Sequence, residues 1–133
     1  MNEYPWMVFV LSLNGGNSYG QCGGAIISSK WVITAAHCML HKNIRRSASH
    51  IRVFLGFHQI DGEELQYMET LHKVINVESI HIHPSYDQDI AADNDIAMLR
   101  LSETVDLNIY TPVCLPKAGL FAGQKAWIVG EQF

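Results

Sequence analysis

No stretch of this sequence holds the ~20 consecutive apolar residues that a membrane-spanning helix needs, although 48% of its 133 residues are hydrophobic. Basic residues are also scarce. Nine Lys and Arg against 13 Asp and Glu leave a formal net charge of -4, with no positive excess to hold a nucleic-acid backbone. Charged residues make up only 17% of the chain, too few for a disordered segment of this hydrophobicity. Cysteine is sparse and odd in number. Of Cys22, Cys38 and Cys114, at least one thiol lacks an internal partner. No C-x-x-C pair occurs, so the cysteine spacing does not spell a zinc site. Internal repeats and low-complexity linkers are missing as well, and the length fits one domain.

A long helical period is the last thing lacking. What the chain has instead is a series of short apolar runs with turn residues between them. Residues 6–13, WMVFVLSL, form the first. This run could pass for the apolar part of a signal peptide. However, Glu3 rather than a basic residue precedes it and no small-x-small site follows, so a buried strand is expected and no signal peptide is read in this chain. The NGGN at 14–17 suits a hairpin turn because glycine tolerates positive φ. Further strands are expected at 20–27, with Gly23-Gly24 allowing close backbone approach, and at 31–34, 51–56, 73–83, 96–101 and 125–130. Pro84 ends the fourth of these six, since it cannot donate to a ladder. Such a pattern argues for an all-β barrel or sandwich. The basic residues at His41-Lys42 and Arg45-Arg46 and the acidic ones from Asp61 to Glu69 read as solvated loops.

His37 stands out within WVITAAHC, residues 31–38. By itself it reads as an ordinary partly buried histidine, ahead of a base or a metal ligand. The wider context separates these readings. YPWMVFV at 4–10, CGGAIISSKWVITAAHC at 22–38, HPSY at 83–86, DNDIAMLRL at 93–101 and VCLP at 113–116 occur in that order. Together they resemble the trypsin-like (chymotrypsin-fold) serine endopeptidases. The resemblance spans nearly the whole chain but only roughly the first half of that family's catalytic domain.

The resemblance implies a fold and roles. The fold would be a six-stranded antiparallel Greek-key barrel over residues 4–116, the first of two barrels, with one helical turn after His37. Residues 117–130 would begin the passage to the second barrel, so that 1–130 form a partial peptidase domain and 131–133 a divergent end. His37 would be the catalytic base, because an imidazole titrates near neutrality and can take and return a proton. Asp95 would orient it and stabilise the imidazolium. Asp93 is a rival, but Asp95 directly precedes Ile96-Ala97 as the family pattern requires. Cys22 and Cys38 would form a disulfide whose loop of about 15 residues is worth ~3 kcal/mol in the chain-entropy model, and which implies an oxidising, extracellular or secretory compartment. Cys114 matches a cysteine that many relatives bond to a pro-segment.

Two departures from the family pattern stand out. The glycine-flanked G-D-S-G-G nucleophile does not occur, and no serine of the chain sits between glycines. The Ile-Val-Gly-Gly amino terminus of a mature enzyme does not occur either. The expectation is therefore a serine endopeptidase half that binds protein or peptide substrates in its parent and is inactive by itself. The alternative is a non-catalytic protease-like module that binds a protein partner; the presence of both His37 and Asp95 favours the first. No cofactor is expected. Some relatives bind calcium in a loop matching 57–67; Asp61, Glu63 and Glu64 are available there, but Phe57 stands where a carboxylate is wanted. His81 and His83 would share one strand face, but no third ligand accompanies them, so zinc is not expected there.

Overall fold

The computed structural model describes residues 6–13, 19–41, 44–55, 73–87, 89, 93–116 and 125. The apolar run at the start forms β1 (Met7–Leu13), which pairs antiparallel with β2 (Tyr19–Ile26). The chain then reverses into β3 (Trp31–Thr34), followed by a single 3₁₀ turn at Ala36–Met39. A two-stranded ribbon of β4 (Leu40–His41) and β5 (Ile44–Arg45) comes next, then a second 3₁₀ turn at Ala48–His50. The remaining strands are β6 (Ile51–Leu55), β7 (Lys73–Ile82) and β8 (Ala97–Leu101).

Six of these strands close a barrel in the order β1-β2-β3-β8-β7-β6, every neighbouring pair antiparallel. The jump from β3 to β8 makes the path a Greek key, and closure leaves no unpaired edge. The expected fold is the one found. The expected strand at 125–130 lies outside the described residues except for Lys125, as do the 14–17 turn and the calcium-loop stretch. The β4–β5 ribbon was not foreseen, since strands of two residues carry no readable period.

The burial pattern explains the strand signals. β3 and β8 alternate, with Val32, Leu99 and Leu101 fully buried inside the barrel. β1 is instead buried on both faces. Val8 and Val10 join the barrel core, whereas Phe9 and Leu11 form a second cluster with Phe54 of β6. Its sequence is accordingly a continuous apolar run rather than an alternating one. After β8 the chain turns back beside the β2–β3 connection. Val105 and Val113 donate backbone hydrogen bonds to Ser29 and Ile26, and the Val105 side chain is buried.

The two adjacent glycines of β2 differ sharply. A Cβ on Gly24 would lie 2.9 Å from the Ile33 carbonyl oxygen and 3.1 Å from methyls of both Val8 and Val32. A Cβ on Gly23 would meet nothing within 4 Å. Close packing is therefore required of Gly24 alone. In urea denaturation, Gly24→Ala should lose ~1–3 kcal/mol, the usual range for overpacking. Gly23→Ala should stay within about 0.5 kcal/mol of the wild type. Equal losses would show that the strands do not meet at this register.

Candidate active site

The site is built where β3 ends and β8 begins. Thr34 pairs with Ala97 across these antiparallel strands. His37 follows Thr34 by three positions and Asp95 precedes Ala97 by two, so one register brings together residues 58 apart in sequence. Each side is anchored. Ala36 and Met39 are buried in the barrel core and hold the 3₁₀ turn from beneath. The Thr34 hydroxyl donates to the Gly23 carbonyl at 2.8 Å and fixes the end of β3 against β2. On the other side the chain makes a tight corner at Asn94, which takes a positive φ of 53°, a conformation that asparagine tolerates better than most residues. The Asn94 side-chain amide donates to the Ser85 carbonyl at 3.1 Å, and the Ile96 N–H donates back to the Asn94 carbonyl.

Asp95 is thereby set to accept from His37 twice. The His37 backbone N–H donates to Oδ1 at 2.7 Å, and ring Nδ1 lies 2.6 Å from Oδ2. The Asp95 side chain is 18% exposed and that of His37 64%. An ionised carboxylate can only accept, so Nδ1 carries a proton, and in the neutral ring Nε2 presents its lone pair outward. Burial pushes the Asp95 carboxyl up. The ring and backbone bonds from His37, the charge on His37 and the Ala36 N–H outweigh that and hold it below the ordinary carboxylate value. Asp93, the rival carboxylate, is exposed and among the described residues accepts a long 3.4 Å contact from the Asn94 amide.

The disulfide joins Cys22 of β2 to Cys38 of the turn, with Cα atoms 6.4 Å apart, within the usual range for such bonds. Cys114 is a free, exposed thiol. Cys38 Sγ also lies 3.6 Å from His37 Nε2. A disulfide sulfur has no proton to give, and Nε2 of the neutral ring has none either, so this is a packing contact rather than a hydrogen bond. Among the described residues, Cys22, His37 and Cys38 are the group whose donor atoms approach within 4.8 Å of one another. With both sulfurs tied in the bond, neither is a thiolate ligand. Among the described residues His81 and His83 belong to no such group. The first makes a 2.8 Å contact with Ser79 and the second accepts from the Ser85 N–H.

Arg46 departs from its reading as part of a solvated basic run. Its Nε donates to the Cys38 carbonyl at 3.1 Å and its backbone N–H to Met39. Burial lowers its pKa, and the long aliphatic stem, which a charge count ignores, accounts for the difference. Arg46 clamps the far side of the turn that carries His37.

A closed Greek-key barrel with a His–Asp pair at its rim, braced by a disulfide next to the histidine, defines the trypsin-like class of serine proteases. The family model described as Trypsin matches residues 1–132, and the chain belongs to the trypsin family. Among similar proteins, Chymotrypsin-like elastase family member 1 of Bos taurus is 38% identical over 123 residues, covering 89% of this chain and 41% of that protein. Ovochymase-2 of Mus musculus is 39% identical over 118 residues, 88% of this chain and 17% of its own length. CLIP domain-containing serine protease B9 of Anopheles gambiae is 32% identical over 126 residues, 87% and 31% respectively. The chain thus spans less than half the length of these relatives.

Because Asp95 is held below its ordinary value in the fold, its contribution to stability is complete above the unfolded carboxylate pKa of about 3.9 and is lost as the pH falls through the folded value. Urea midpoints measured at pH 6, 4 and 3 should fall more steeply for the wild type than for Asp95→Asn. Parallel profiles would contradict the pairing.

Proposed function

We propose that this chain supplies the base-bearing half of a serine endopeptidase active site. The observation that carries the reading is the two-point hydrogen bond from His37 to Asp95. It leaves Nε2 as a lone pair facing solvent, ready to take the proton of an attacking hydroxyl and return it to the leaving amine. Asp95 holds the tautomer and stabilises the imidazolium that forms. No metal or organic cofactor enters this chemistry. The chain has no serine in the G-D-S-G-G setting, so the nucleophile and the oxyanion hole come from outside these residues. The substrates are proteins or peptides, in keeping with the relative named as a serine protease. The alternative, a non-catalytic binding module, needs neither the tautomer control nor the outward lone pair.

The compartment follows from the sulfur chemistry. A disulfide fits an oxidising environment, and an extracellular setting accords with it. Among the described residues no helix is long and apolar enough to cross a membrane. The Cys114 thiol is exposed, which supports a disulfide from it to a pro-segment outside these residues.

A chimera tests the proposal. Residues 1–130 would be joined to the remaining catalytic portion of Chymotrypsin-like elastase family member 1, and cleavage of peptide reporters measured. The chimera should be active, and Asp95→Asn should lower kcat ~10⁴-fold, as loss of the correct tautomer does. The 133 residues alone should neither cleave the reporters nor react with serine-directed phosphonates. Chimera activity indifferent to His37→Ala, or turnover by the chain alone, would overturn the reading.

A further inference from the structure

Charge is shared unevenly along this chain. Residues 4–60 contain five basic residues, Lys30, Lys42, Arg45, Arg46 and Arg52, and no Asp or Glu. Of the 13 acidic residues, Glu3 alone precedes Asp61. The net charge is -4, yet the stretch that carries His37 bears basic side chains and no acidic ones. Most of that positive charge follows the candidate active site directly, because the turn bearing His37 runs into the β4–β5 ribbon.

Both faces of the second ribbon strand are open. Ile44 is 71% exposed and Arg45 is exposed as well, and successive strand residues point to opposite faces. The base of the ribbon is fixed, since the next residue, Arg46, donates its backbone N–H to the Met39 carbonyl at 2.9 Å and its Nε to the Cys38 carbonyl. Arg45 lies opposite Leu40, which follows His37 by three positions. Three residues span at most ~11 Å, and opposed antiparallel residues are ~4.5–5.5 Å apart. The Arg45 Cα is therefore within ~16 Å of the His37 Cα. An extended peptide rises ~3.4 Å per residue, so one whose scissile bond sits at His37 can reach Arg45 within about five residues.

Arg45 is free to take such a partner. Among the described residues the Lys and Arg side chains paired with carboxylates are Lys73 with Glu103 and Arg100 with Glu78. A guanidinium is a planar fork that matches a carboxylate. The opposite sign gathers elsewhere: Asp89 and Asp93 are exposed on the approach to Asp95, where an acidic substrate residue is repelled.

We propose that the β4–β5 ribbon, through Arg45, selects protein substrates that carry an acidic residue within about five positions of the scissile bond, on the side that runs along the ribbon. This rests on the serine endopeptidase reading and adds a substrate preference to it. Arg45 acts away from the reacting bond, so its effect falls on encounter and binding rather than on the proton transfer at His37.

The first test uses the full 133-residue chain labelled with ¹⁵N. It is titrated at low salt with a blocked alanine peptide carrying several glutamates, and with the glutamine counterpart. The glutamate peptide should shift the Arg45 Nε–H signal and the amides of the ribbon, and the glutamine peptide should not. About 1 M salt, where the Debye length is ~3 Å, should suppress the shifts. Arg45→Glu should abolish them. Lys30→Glu, the same charge change at the opposite end of β3 from His37, should leave them intact. Equal shifts with the glutamine peptide, or an unchanged response in Arg45→Glu, would overturn the proposal. The second test scans Asp along peptide reporters of the elastase chimera. Asp on one side of the scissile bond should raise kcat/KM about two- to fivefold over Asn, the scale of an exposed ion pair, and Arg45→Glu should reverse that preference. No preference on either side in an active chimera would overturn the proposal. An inactive chimera would instead count against the endopeptidase reading, while the peptide titration still decides the role of Arg45.

Discussion

The carboxylate of Asp95 accepts hydrogen bonds from the backbone and the ring of a single residue, His37, and much of the architecture serves to make that double contact possible. Charge-assisted bonds of this kind are short and strong, but only when both partners are held in place beforehand. One partner is held by a 3₁₀ turn whose end residues Ala36 and Met39 are buried in the barrel core. The other is held by a corner at Asn94, where the chain adopts a left-handed conformation before entering β8. The pairing of β3 with β8 makes these two supports adjacent. Without barrel closure, neither turn has a fixed relation to the other.

The disulfide and Arg46 grip the same turn from two directions. Cys22 ties it to β2, and the Arg46 guanidinium holds the carbonyl of Cys38. A turn of four residues has little internal stability, so its geometry is imposed from outside. The outward face of His37 is free of these ties apart from the contact with Cys38 sulfur. That combination, a rigid inward edge and an open outward nitrogen, suits a base that works on a group brought to it.

How much of this was legible in the sequence depended on range. The strands were readable because short apolar runs recur between turn residues, as in residues 31–34 and 96–101. His37, Asp95, Cys22 and Cys38 were readable through the resemblance, which rests on local residue patterns. The register that unites His37 with Asp95 was not readable from spacing, since pairing across 58 residues leaves no periodic trace. Gly23 and Gly24 looked alike, and only the packing of Ile33, Val32 and Val8 tells them apart. Arg46 was hidden in a run of basic residues because composition does not say which charge turns back onto the chain.

The central claim is that Asp95 fixes the His37 ring with its proton on Nδ1 and its lone pair on Nε2. Long-range ¹H–¹⁵N correlation spectra of the oxidised chain at alkaline pH report the tautomer of each histidine directly. The account predicts the Nδ1–H form for His37 in the wild type and its loss in Asp95→Asn. A wild-type His37 carrying its proton on Nε2, or one unchanged by Asp95→Asn, would contradict it.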